Sequence, residues 1–162
     1  MARSKTTAEC GKFKQIIHSA LYKSDEICDL LFGDESFDAA HKKRDLFRNH
    51  VKSHLFIDDT IQDAGSYIFY DVRCPNLHSN IKTCMIVMYI ICHRDILDNY
   101  SKDGYYGNRA DILSQMVEDT LLNDHEVANS FGIGELTLDG TDFYNATRFY
   151  GYIMRFSVPN FR

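Results

Sequence analysis

Few residues in this chain have the type and spacing that bond-making chemistry requires. His50 and His54 stand four apart, so a helix through both would put two imidazoles on one face, the placement zinc enzymes use for two ligands. The intervening glutamate of the metalloprotease motif is absent, and a structural role is expected. Cys74, Cys84, Cys92 and His93 can be drawn as a metal set, but they contain no ligand pair with the usual two to four residues between. Cys84 and Cys92 share parity along one strand, so both are expected to fill a core as small apolar side chains. Asp58 and Asp59 are adjacent; in extended chain they point to opposite sides, which suits a turn or a helix cap better than a shared proton or metal. Gly132 and Gly134 flank Ile133 without the lysine of a phosphate loop or the third glycine of a dinucleotide fingerprint, and are read as backbone freedom before a strand. Neither a serine elbow nor a cysteine nucleophile in a known family context is present. No catalytic, metal-binding or cofactor-binding residue is expected, and no cofactor.

What remains is tyrosine. Tyr100, Tyr105, Tyr106, Tyr144, Tyr150 and Tyr152 fall in or beside loops and strand ends. Tyrosine supplies contact area with little entropy loss and is enriched at protein interfaces, so this set fits assembly as well as it fits core.

The elements that must position these residues follow from periodicity. Phe13, Ile16, Ile17, Ala20 and Leu21 make one stripe of a helix beginning near Cys10. Ser24 can cap a second helix carrying Ile27, Leu30 and Leu31, stopped by Gly33 and followed by a loop over 33–40. Leu46, Phe47, Val51, Leu55 and Phe56 give a helical spacing broken by polar groups, hence a short helix within 41–56. Past Gly65 the period becomes two, with Tyr67, Phe69 and Asp71 alternating with Ile68, Tyr70 and Val72 until Cys74 and Pro75. Residues 81–93 are β-branched and nearly all apolar, as a mid-sheet strand covered or partnered on both faces would be. Residues 97–107 read as an exposed loop or hairpin extension. Asn108 and Asp111 resemble a capping pair ahead of Ile112, Leu113, Met116, Val117 and Leu121, the best helix of the chain, which Asn123 can close. Leu136 and Leu138, then Tyr150, Tyr152, Met154, Phe156 and Val158, alternate in two last strands. The order predicts a single α+β domain over residues 1–162: an N-terminal helical segment over 1–44, and a core over 45–162 with a mainly antiparallel sheet of about four strands and a long helix packed on one face.

Composition agrees. For 162 residues with 44% hydrophobic and 13% aromatic content, surface scaling implies that roughly 70% of the extended chain's surface is buried, enough for a core without metal or disulfide staples. The net charge of -5 repels nucleic acid, and the basic run His41, Lys42, Lys43 and Arg44 is too short for a strand-binding groove. Residues 1–12 lack the apolar core of a signal peptide, so the five cysteines are expected as reduced thiols in a cytosol. The most apolar run, 84–92, is far below the roughly 18–20 residues of a membrane helix, and no membrane partner is expected.

The order of segments also carries a family resemblance. Phe69, Tyr70, Asp71, Val72, Arg73, Cys74 and Pro75 resemble the first-strand pattern of small phage neck and tail-completion proteins. Gly107, Asn108, Arg109, Ala110, Asp111, Ile112 and Leu113, ending with Leu121, Leu122 and Asn123, resemble that group's long helix, with Arg and Asp in its first turn. Residues 131–138 resemble its glycine-marked third strand, and Tyr150, Gly151 and Tyr152, running to Pro159, Asn160 and Phe161, its closing strand and aromatic terminus. The similarity spans roughly residues 45–162; Asp58 stands where proline is usual before Asp59 and Thr60, and Cys74 replaces a more usual valine. The resemblance implies a structural virion protein, made in the bacterial host cytoplasm: a tail-terminator or tail-completion subunit. Its homo-oligomeric ring, usually a hexamer, caps the tail tube, joins it to the neck connector and leaves a channel through which DNA passes transiently. Its implied partners are further copies of itself, the tail tube protein and the neck or connector protein. Sheet edges and the 97–107 loop would supply the subunit or tube contacts, with Tyr100, Tyr105, Tyr106, Arg109 and Phe161 as interface residues, and no bond is made or broken.

Three readings compete. A head-completion or connector protein would share the ring but bind the portal side. A small cytosolic enzyme would need clustered polar groups in a pocket, for which His93 and Asp95 are the residues to mutate. A nucleic-acid-binding regulator would show a steep salt dependence of DNA affinity.

Overall fold

The structure is a computed structural model, which describes residues 5–33, 40–55, 63–77, 81–132 and 134–161. Asp58 and Asp59, together with Phe56, Thr60, Ile133 and residues 34–39 of the loop expected over 33–40, lie outside the described residues.

The first helix, α1 (Thr6–Lys23), buries Phe13, Ile17, Ala20 and Leu21, the stripe that its three-and-four spacing announces. It starts at Thr6, a turn before the expected Cys10, because that first turn has partners: Lys82 reaches the Glu9 carboxylate, and its Nζ lies 3.5 Å from the Thr6 hydroxyl. Ser24 then ends α1 and caps α2 (Asp25–Phe32), its hydroxyl accepting from the Ile27 amide at 3.4 Å. Gly33, at φ 62°, closes α2 in a region that disfavours side chains. The helix α3 (Ala40–His50) buries Phe47 and gives way at once to β1 (Val51–Lys52).

The remaining strands are β2 (Ser66–Leu77), β3 (Ile81–His93), β4 (Thr137–Asn145) and β5 (Phe149–Phe161). Their sheet order is β1-β2-β3-β5-β4, with every pair antiparallel except the short parallel β1–β2 contact. The fold is therefore α+β with five described strands where about four were expected; the addition is β1, too short to leave a period in the sequence. β2 also runs past its expected end at Cys74 and Pro75. Its register with β3 shifts between Arg73 and Asn76, so Pro75, which has no N–H to give the ladder, sits in an irregularity and the strand resumes.

Between β3 and β4, α4 (Arg109–Glu118) passes into a π-helical turn over Asp119–Asn123 and then α5 (His125–Ala128). α4 lies against β3 and β5, and α1 against β2, so the helices share one face of the sheet. The longest described helix is α1, at 18 residues, rather than the capped helix at Asn108.

Pairing registers sort the side chains by face. Ile68, Tyr70 and Val72 of β2, Cys84, Ile86, Met88, Ile90 and Cys92 of β3, and Met154, Phe156 and Val158 of β5 form the core beneath the helices. Cys84 and Cys92 both lie there fully buried, in the role their shared parity implied. Among the described residues the opposite face is closed near one end of β3, where Tyr67, Phe69, Ile91 and Phe149 form a second buried cluster flanked by Tyr89 and Tyr144. β3 is central as expected, but Met85, Val87 and Tyr89 on that second face are only half buried.

β5 leaves no room for a side chain at Gly151, where an added Cβ would stand 1.7 Å from the Ile90 carbonyl oxygen. Gly151→Ala must therefore push β5 off β3. The expected destabilisation is at the upper end of overpacking, about 3 kcal/mol, read as a lower urea midpoint at unchanged slope.

Candidate functional site

The chain from β3 to α4 is built around one buried cation. Arg109, 8% exposed, donates from Nε to the Ser66 hydroxyl at 2.8 Å, from Nη2 to the Leu30 carbonyl at 2.5 Å and from Nη1 to the Asn99 side chain at 3.4 Å, while Tyr100 covers its guanidinium at 5.1 Å. The Leu30 carbonyl belongs to the last turn of α2, one of the acceptors a helix end leaves without an intrahelical donor. A planar fork of donors can therefore join α2, the start of β2, the 97–107 loop and the first residue of α4 at a single point. His50 joins the same knot, its Nδ1 2.7 Å from the Ser66 carbonyl and its ring stacked on Tyr67.

Asp111 organises the other end of the loop. It completes a capping box with Asn108, accepting from the Asn108 amide at 2.8 Å while its own amide donates to the Asn108 side chain at 3.1 Å. Its second carboxylate oxygen accepts from the Tyr152 hydroxyl of β5. Burial first, then that bond, raises the Tyr152 phenol above its ordinary value. Gly107, at φ 98°, must be glycine here, since an added Cβ would meet the Asp111 carboxylate at 2.3 Å. One turn along α4, Gln115 accepts from the Tyr106 amide at 3.1 Å and donates to the Tyr106 carbonyl at 2.7 Å. Tyr105 donates to Glu26 of α2 at 2.6 Å; that carboxylate, with some burial, pushes its phenol up to about 12.

The loop is thus tied down at both ends and presents one aromatic ring outward. Tyr106 is 80% exposed. On β4, Phe143, which pairs with Tyr152, is 74% exposed. β4 is the last strand of the sheet, so one of its edges has no partner among the described residues. Phe143 and this edge make up the candidate interaction surface, and Tyr106 is a second exposed ring on the loop.

The expected interface residues fall into three situations. Tyr106 is on the surface, and Tyr100 and Tyr105 are half buried with their polar or flat faces engaged inside the chain. Arg109 requires correction: it is buried, and the donors that would bind a partner are directed to Ser66, Leu30 and Asn99. Phe161 is the last residue of β5, paired in register with Ile81. Sequence reasoning missed Phe143; its signal is an aromatic following Asp139, Gly140, Thr141 and Asp142 and preceding Tyr144, and the irregularity between Leu138 and Gly140 breaks the alternation that would have shown its face.

The residues weighed for chemistry are dispersed. α3 ends at His50, and His54 follows β1, so the two imidazoles share no helix face. His93 Nδ1 accepts from the Asp95 amide at 3.1 Å, an N-cap role that occupies the nitrogen an ion pair with Asp95 at 3.6 Å would need protonated. Cys92 and His93 lie at the far end of β3 from Cys84, and among the described residues no group of three His, Cys, Asp or Glu side chains could hold a metal ion. An open groove of about 690 Å³ lies between α1 and α5, lined by Lys12, Lys23, Asp124 and Glu126 among others, away from both the loop and β4.

Two outcomes test the knot. Arg109→Met leaves the Leu30 carbonyl and Ser66 hydroxyl without their charged donor, and is expected to cost about 3 kcal/mol in chemical denaturation; Arg109→Lys should not restore it, because a point charge cannot span the acceptors. Burial, reinforced by the Arg109 charge and opposed by the Ser66 bond, holds His50 below the ordinary imidazole value of 6.5, and burial beside Arg48 does the same to His18. The unfolded chain therefore binds protons first as pH falls. Stability should be full above that value and decline below it until the lowered folded values are passed, a slope that His50→Gln reduces in Tm measured from pH 7 to pH 5.

No curated protein matches the chain. Among the described residues no helix is long and apolar enough to cross a membrane. A family model described as YomW matches residues 24–158, from the cap of α2 to within a few residues of the end of β5, and therefore takes in the Arg109 knot, the loop and β4. That name is phage-associated, which agrees with a phage origin. With the greater part of its length matched, the chain belongs to the YomW family.

Proposed function

We propose that the protein is a ring subunit of the phage tail-terminator or tail-completion kind. In this reading, copies of the chain cap the tail tube, join it to the neck connector and surround a channel for DNA. The observation that carries the reading is the pairing of a strand edge with no partner among the described residues and a large exposed apolar ring, Phe143, on the same strand. An open edge invites uncontrolled pairing, and proteins restrain it with charges and bulges. β4 has Asp139 and Asp142 and a register irregularity after Leu138, which limit it to a partner of matching shape. A head-to-tail contact whose rotation closes uses up every such edge in a ring. The phage-associated family supports the setting, and the net charge of -5 suits a lumen that DNA crosses without being held. Tyr106, its backbone fixed beside α4, offers a second exposed amphipathic ring.

Imaging of purified phage particles tests the assignment. A ring of this protein at the tube end supports it, a ring on the portal side favours the head-completion reading, and absence from virions refutes both. For the surface itself, Phe143→Glu should weaken subunit or tube association by about 2 kcal/mol, roughly thirty-fold, in sedimentation or mass photometry with the tail tube protein. Its monomer stability should shift by no more than about 0.5 kcal/mol, since the side chain is already in solvent.

A further inference from the structure

Cys10 lies on α1 and Cys74 on β2, 64 positions apart in sequence, yet their sulfurs are 3.9 Å apart. Both are half buried, while Cys84 of β3 is fully buried within hydrogen-bond reach of Cys74. The approach is held from both sides. Lys14 pairs with Asp71 at 2.8 Å, the Tyr70 hydroxyl donates to the Lys14 carbonyl at 3.1 Å, and Lys82 binds Glu9 next to Cys10. A disulfide needs the sulfurs at about 2.05 Å, so less than about 2 Å of movement separates contact from bond.

We propose that Cys10 and Cys74 are an oxidation site: they form a disulfide when the chain meets a small-molecule disulfide, clamping α1 to the sheet. The thiolate of one cysteine attacks a sulfur of the oxidant, whose S–S bond breaks and releases one thiolate. The second cysteine, deprotonated, attacks the protein sulfur of the mixed disulfide and expels the other half. The protein loses two electrons and two protons, and the oxidant becomes two thiols. Burial and their mutual repulsion push Cys10 up to about 11; burial with the Cys84 contact does the same for Cys74. Little thiolate exists at neutral pH, so the pair stays open in a reducing cytosol and closes slowly outside it. Cys10 precedes the family match and Cys74 lies within it, so the bond would tie the N-terminal helix to the family core. A particle subunit meets an oxidising medium on release from its host and would close the clamp after assembly; that timing rests on the ring reading, whereas the bond does not.

The test is incubation of the full chain with glutathione disulfide, followed by alkylation and peptide mapping without reduction. The expected product links the Cys10 and Cys74 peptides, with Cys28, Cys84 and Cys92 still thiols, and its Tm rises by about 5–10 °C. Its rate should climb about tenfold per pH unit from pH 7 to pH 9. Cys84→Ala should keep the bond and Cys10→Ser abolish it. A Cys74–Cys84 link, a bond that survives Cys10→Ser, a mixed disulfide that never resolves, or undiminished alkylation of Cys10 and Cys74 would each overturn the proposal.

Discussion

A buried guanidinium has to spend its donors inside the protein, and that requirement organises this fold. The described polar partners of Arg109 are neutral: a hydroxyl on β2, a carbonyl at the end of α2 and an amide side chain in the loop. Neutral acceptors stabilise a desolvated charge only when several converge at once, so the charge fixes the mutual positions of the segments that supply them. Because Arg109 is also the first residue of α4, the helix inherits that position. The Asp111 carboxylate then passes it on to β5 through Tyr152.

The candidate surface depends on this chain of contacts rather than on its own residues. Tyr106 is exposed, but its backbone is clamped by Gln115 and followed by the tight turn at Gly107, so its ring is presented without a large entropic cost of ordering on contact. Phe143 gains its place from β5, which lies between β4 and the central strand. Of the loop's tyrosines, Tyr100 and Tyr105 are engaged inside the chain and Tyr106 turns outward.

The two ends of the sheet are treated differently. At one edge, β1 is only two residues long and follows α3 directly, which leaves little edge to template another strand. At the other, β4 offers nine residues with mostly exposed side chains. Of the two edges, β4 is therefore the one at which the sheet can be extended.

Much of this was legible in the amino-acid order because it depends on local periods. The stripe of α1, the Ser24 cap, the Asn108–Asp111 box, the alternation of β2 and the central place of β3 each follow from residues a few positions apart, and together they specify an α+β domain. β1 escaped because two residues carry no period, and the run of β2 through Pro75 escaped because the resumption of pairing depends on β3. Tertiary structure alone decided the rest. Whether Arg109 faces solvent or the interior, whether Phe143 is covered by a neighbour, and whether Cys10 meets Cys74 are questions of contact between segments tens of residues apart. Side-chain chemistry states what each group can bind, while only the packed chain sets which partners come within reach.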